Sequence, residues 1–239
     1  MAFRAGFDGV EVVMNEIYYR EDVVEYLSEL GKIVPVEAMH APFLVDGPSR
    51  VKVVSLNKCV EIALSLGVKK IVFHPPMKFF LEPYYWWWFL KSSFNGVDGV
   101  ELCLENMPQK RWGKGRMSLW SFKSFERLKR AAQKRGLFLA FDTTHCGTSG
   151  IPLIEAFEMM GGIELVRHIH FSDFAEREGR FVEHLFPGEG ELPLFEFIEY
   201  LKSKGYTETV TVEVSPDALP QDDIERINKL KALIERIKG

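Results

Sequence analysis

Cysteine is scarce and scattered. The 239 residues hold three, Cys59, Cys103 and Cys146, and no C-x-x-C pair. That excludes a zinc ribbon or a disulfide framework and fits a reducing compartment, so the expected location is cytoplasmic. No apolar run reaches 18 residues and no secretory leader pattern is present, so no membrane partner is expected. Positive charge is not in excess: 30 Lys and Arg face 34 Asp and Glu, a net charge of −4. Binding of nucleic acid through bulk positive charge is thereby excluded, although a local basic patch is not. A G-x-G-x-x-G phosphate turn is missing, which counts against a doubly wound dinucleotide fold. No Ser/Gly-rich linker or low-complexity tract divides residues 1–239, and a single domain is expected.

What the chain does have is alternation. Apolar, β-rich runs fall at residues 9–13, 33–40, 70–74, 100–105, 137–142, 166–171 and 209–214. Helix-period segments fall at 21–30, 51–66, 118–134, 154–160, 194–204 and 222–237. Near-continuous apolar strands separated by helices make a parallel sheet covered by helices. The pattern predicts an α/β fold, a (β/α)8 TIM barrel with seven strands visible. The opening MAFRAG reads as the end of a helix, so strand 1 and most of helix 1 are absent from this sequence. A start codon assigned too late is the favoured explanation, and an open seven-stranded barrel the other.

Six of the seven strands finish in a residue able to bind metal or move a proton: His40, His74, Glu105, Asp142, His170 and Glu213. In a TIM barrel those ends converge on one face. Strand alternation tests the idea, because residues two positions earlier must also point inward. They are Ala38, Val72, Cys103, Ala140, His168 and Thr211, mostly small, while Met39, Phe73, Leu104, Phe141, Ile169 and Val212 are bulky and suit an outer wall. One histidine at a strand end is an ordinary structural residue. Three carboxylates and three histidines at one mouth are costly to bury without a divalent cation. His145, in D-T-T-H, and His184, in the loop after 166–171, join the same mouth; His168 lies one layer deeper and is expected to be structural.

Two segments stand outside the pattern. The aromatic run from Tyr84 to Phe89 is expected as a helix against the barrel wall or a homo-oligomer contact, with a wall over the site as the functional alternative. The basic stretch carrying Lys110, Arg111, Lys114 and Arg116 follows Glu105 directly and could hold a phosphate.

In order and spacing, GFDGVEV, MHAPF, VFHPP, LENMP, DTTH, HIHFSD, PGEGELP and TVEVSP resemble the xylose isomerase-like TIM barrels, which include sugar isomerases and epimerases and the AP endonuclease family 2 enzyme endonuclease IV. Resemblance to the sugar enzymes implies one divalent ion, manganese or zinc, held by Glu105, Asp142, His170 and Glu213, with Glu105 and Glu213 exchanging protons with a sugar or sugar phosphate and His145 on the sugar oxygens. Resemblance to endonuclease IV implies three zinc ions and cleavage of abasic DNA. His40 and His74 would share one ion with Glu105, the four-residue shell would hold the second, and His145 and His184 the third. The aspartate that the third ion would require two residues before His184 is Val182 here. That departure, the acidic charge and the short loops after the first two visible strands favour small-molecule isomerase or epimerase chemistry over DNA, with a non-catalytic ligand-binding barrel as a further alternative.

Overall fold

The computed structural model describes residues 1–239 except 16, 44–48, 95–97 and 114. Seven strands run parallel in chain order, β1 (Val10–Val13), β2 (Val36–His40), β3 (Lys70–Phe73), β4 (Glu101–Glu105), β7 (Phe138–Asp142), β8 (Val166–Phe171) and β11 (Thr209–Val212). Two antiparallel hairpins project from the sheet, β5 (Lys110–Trp112) with β6 (Gly115–Met117), and β9 (Asp173–Arg177) with β10 (Arg180–Leu185). The helices are α1 (Ala2–Ala5), α2 (Val23–Ile33), α3 (Arg50–Leu66), α4 (Pro83–Lys91), α5 (Phe125–Arg135), α6 (Thr143–Ser149), α7 (Leu153–Met159), α8 (Gly162–Leu165), α9 (Leu194–Ser203) and α10 (Asp223–Lys238). The architecture is a TIM barrel lacking one strand. Among the described residues no helix is long and apolar enough to cross a membrane.

The inside and outside of the barrel separate as the alternation requires. Val72, Cys103 and Ala140 form a small buried cluster of their own, the barrel interior. Met39, Phe73, Leu104, Phe141 and Ile169 belong to the large cluster between sheet and helices, with Val212 packed against it. Phe157 shows how that outer layer closes. It is fully buried and meets Phe141, Phe197, Tyr200 and Tyr206 ring to ring, so α7 and α9 are fastened to β7 through aromatic edges.

Three local expectations are corrected. Ile33 ends α2 instead of starting a strand: Pro35 forces extended backbone on Val34, and β2 begins only at Val36. The helix expected from Ser118 begins at Phe125, where Ser124 accepts the Arg127 N–H and caps it. His184 lies in β10, not in a loop. Its hairpin turns at Glu178 and Gly179, both with positive φ (52° and 72°), the condition for a tight turn between twisted strands.

β1 and β11 are the two edges of the sheet and do not pair with each other. A cavity of about 900 Å3 lies between them, lined by Val10, Glu11, Thr211 and Glu213 and by Leu230 and Ile234 of α10. It is large because two strand edges stand apart there, the place where an eighth strand of such a barrel would run.

Candidate metal centre

Six of the seven sheet strands, all but β1, deliver a side chain to the mouth at or just past their ends, and Glu105 at the end of β4 is their centre. Its carboxylate is divided. One oxygen, Oε2, lies 3.2 Å from His40 Nε2 and 3.1 Å from His74 Nε2. The other, Oε1, lies 3.3 Å from His170 Nδ1 and 3.2 Å from His145 Nδ1. Glu105 is fully buried, and burial alone would push its pKa up; the positive field and hydrogen bonds of His74, His145 and His170 overrule burial and hold it well below the usual carboxylate range.

Asp142 ends β7 and caps α6. Its Oδ1 accepts the His145 N–H at 2.7 Å, which is why the D-T-T-H spacing brings aspartate and histidine together. Asn106 locks β4 to β7 from both sides, accepting the Asp142 N–H at 2.8 Å and donating to the Asp142 carbonyl at 3.0 Å. Its own carbonyl lies 2.9 Å from His145 Nδ1. With Oδ1 occupied, Asp142 Oδ2 remains buried without a hydrogen bond among the described residues, and so does Glu213 Oε2. Glu213 Oε2 stands 3.0 Å from His170 Nδ1, close but out of hydrogen-bond alignment.

The fit to a cation follows from these facts. Glu105, Asp142, His170 and Glu213 each offer a ligand atom within 4.8 Å of the others. From His170 Nδ1 the spacings are 3.0 Å to Glu213, 3.3 Å to Glu105 and 3.7 Å to Asp142. Donors about 2.1 Å from a tetrahedral zinc ion stand about 3.4 Å apart. Two orphaned carboxylate oxygens, 3.0 and 3.7 Å from the same His170 nitrogen, suit a divalent ion. His40, His74 and Glu105 form a second such group, and Asp142, His145 and His184 a third.

His184 reaches the mouth through a β-bulge. The register of β10 against β9 shifts between Val182 and Leu185, and His184 takes φ 56°. A bulge re-aims side chains, so alternation counted from Val182 does not say where His184 or Glu183 point. Glu183 is partly buried, and burial raises its pKa against the nearby His145 and His184. The turn behind the hairpin is held by Asp173, a fully buried carboxylate that accepts the N–H groups of Phe174, Gly188, Gly190 and Leu192. PGEGELP therefore serves as a backbone cradle for Asp173.

Strand-end reading missed Glu11, in the middle of β1. It lies 2.7 Å from His168 Nε2 and 3.1 Å from His170 Nε2. It also missed Trp120, whose ring meets that of His74 edge to face at 5.4 Å, while Phe43 stacks on His74 at 5.1 Å. The aromatic run is α4, with Tyr85 and Phe89 buried and Tyr84 and Trp87 exposed; the Tyr85 hydroxyl donates to the His74 carbonyl at 2.7 Å. In the basic hairpin Arg111 pairs with Glu176 at 3.1 Å, and Arg116 approaches the same carboxylate at 3.9 Å. Lys110 is exposed, and Lys114 lies outside the described residues.

The profile of the family described as "Xylose isomerase-like TIM barrel" matches residues 1–233. An uncharacterized protein of Methanocaldococcus jannaschii is 27% identical, covering 97% of this chain and 85% of its own length. Among solved structures, a D-tagatose 3-epimerase-like protein superposes with a TM-score of 0.72 at 24% identity, covering 98% of this chain and 89% of that one. Endonuclease IV from Thermus thermophilus superposes at 0.68 with 21% identity, covering 99% and 91%. The IOLI protein, solved with a zinc atom, superposes at 0.69 with 17% identity, covering 99% and 90%. At these identities the structures share the fold with this chain.

Proposed function

The chain belongs to the xylose isomerase-like TIM barrel family, and from that premise we propose that it is a metal-dependent phosphodiester hydrolase with two adjacent cation positions bridged by Glu105. One observation carries the reading: the Glu105 carboxylate turns one oxygen to His40 and His74 and the other to His170 and His145. A carboxylate used on both oxygens is a bridge, and a bridge is poorly placed to carry protons between sugar carbons. Glu11, Glu105, Asp142 and Glu213 together would balance the charge of two divalent ions. Zinc or manganese both suit the donor set. When bound, a pair of ions clamps a phosphoryl group from two sides and supplies a nucleophile at neutral pH.

The protein's own side chains supply the rest. Asn106 and the Asp142 cap fix the β4 and β7 ends, so that the ligand oxygens do not reorganise when cations arrive. Glu213, whose side chain is 35% exposed against 1% for Glu105, is the carboxylate that faces an incoming ligand. Lys110, on the hairpin that follows β4, gives the rim a cation for an anionic substrate. The test is hydrolysis of bis(p-nitrophenyl) phosphate and of an abasic-site oligonucleotide by the zinc- and manganese-loaded protein. Cleavage of either supports the reading; inactivity on both, with epimerisation of a ketose or ketose phosphate, overturns it.

A sugar or sugar-phosphate isomerase or epimerase is the second reading. Glu105 Oε1 and Glu213 Oε2 flank the same His170 nitrogen at 3.3 and 3.0 Å, which suits one cation between two proton-transfer carboxylates. It requires the His40–His74 position to stay empty.

A further inference from the structure

Glu11 sits in a layer below the cation-binding mouth, and its surroundings give it a job. Its side chain is 5% exposed although β1 is an edge strand. Its Oε2 lies 2.7 Å from His168 Nε2, and its two oxygens lie 3.2 and 3.1 Å from His170 Nε2. The opposite ring nitrogen of His170, Nδ1, is the atom that faces Glu213, Glu105 and Asp142. A histidine can offer a lone pair at Nδ1 only if its proton sits on Nε2. A carboxylate at Nε2 selects that tautomer and makes the free nitrogen a stronger donor.

His168 completes the arrangement. Its Nε2 meets Glu11 and lies 3.2 Å from the Thr211 hydroxyl, while its buried Nδ1 has no hydrogen-bond partner among the described residues. A proton on Nδ1 would be a buried donor without an acceptor, so the proton belongs on Nε2, pointing at Glu11. Glu11 thus faces the Nε2 atoms of both rings.

We propose that Glu11 is a positioning residue for the cation site: it fixes His170 in the Nε2–H tautomer with Nδ1 turned to the cation, and His168 is the neutral brace that holds the Glu11 carboxylate in place. The inference rests on the cation-binding reading of His170 and is independent of which reaction the site performs.

The test uses zinc alone, with the full chain. Zinc affinity of wild type, Glu11→Gln and His168→Gln is measured by chelator competition, and the His170 ring nitrogens of the zinc-loaded proteins by NMR with nitrogen-15 histidine. Expected are a wild-type His170 with zinc on Nδ1 and a hydrogen-bonded proton on Nε2, a 10–100-fold weaker affinity in Glu11→Gln, and a smaller loss in His168→Gln. Unchanged affinity and an unchanged Nε2–H signal in a folded Glu11→Gln protein overturn the inference while leaving zinc binding intact. A wild-type His170 bound through Nε2 overturns it without any variant, which covers the case in which Glu11→Gln does not fold. A wild type that binds no zinc removes both the inference and the cation reading.

Discussion

His40 and His74, from the ends of consecutive strands, point their Nε2 atoms at a single oxygen of Glu105, at 3.2 and 3.1 Å. The two rings meet edge to face with centroids 4.9 Å apart. On the proposed reading, these two imidazole nitrogens and that carboxylate oxygen would hold one cation, beside the one proposed for Glu105, Asp142, His170 and Glu213.

His40→Ala and His74→Ala are therefore expected to remove one ion while leaving the other. Elemental analysis should show zinc content falling by one ion per chain, and phosphodiester hydrolysis falling by at least about a hundredfold. Thermal unfolding of the metal-free variants should stay close to that of the metal-free parent.

Stability without metal should fall on both sides of a central pH window. Burial pushes the Glu213 carboxyl up, but His170 overrides it and holds it down to about 2. A depressed folded-state value means that its contribution is present above the ordinary glutamate pKa of about 4.3 and is lost as pH falls toward about 2. His145 runs the other way: against burial, Asp142 and Glu105 push it up to about 10. Its contribution is complete below about pH 6.5 and is lost as pH rises through about 10. Melting temperatures of chelator-treated protein should plateau between about pH 4.5 and 6.5 and decline on either side. Added zinc should raise them more at pH 8 than at pH 5, because the histidines must shed protons to bind it.

Asp173→Asn should loosen the turn that carries the PGEGELP motif. It replaces a carboxylate that accepts four backbone N–H groups, and a loss of roughly 2–3 kcal/mol in urea unfolding is expected. Gly190→Ala should be as harmful, since a Cβ there would sit 2.4 Å from the Phe174 carbonyl oxygen. Wild-type stability in either variant would contradict the cradle.

Phe157→Ala tests the outer core. Removing a fully buried ring that touches four others should cost about 3–5 kcal/mol, measured by denaturant unfolding. Zinc stoichiometry of the folded fraction should not change.

Much of this was legible in the chain because a parallel barrel ties position to direction. His40, Glu105 and Asp142 close their strands and His170 is the last but one of its own, and alternation then fixes which neighbours face inward; Val72, Cys103 and Ala140 do form the interior cluster. The reading lost its grip where that period breaks. Glu11 escaped notice because its strand ends in valine and its carboxylate serves one layer lower. His184 reads as a loop residue in the sequence because a bulge and two positive-φ turn residues hide a hairpin whose register cannot be counted. Asn106, Trp120 and Asp173 act through loops and backbone groups, which carry no periodicity to read.

Anomalous X-ray diffraction from zinc-loaded crystals tests the central claim most directly. Two ions are expected about 3.5–4 Å apart, both on the Glu105 carboxylate, one also on His40 and His74 and the other on Asp142, His170 and Glu213. A single ion in the four-residue shell, with His40 and His74 bound to nothing but Glu105, would contradict it.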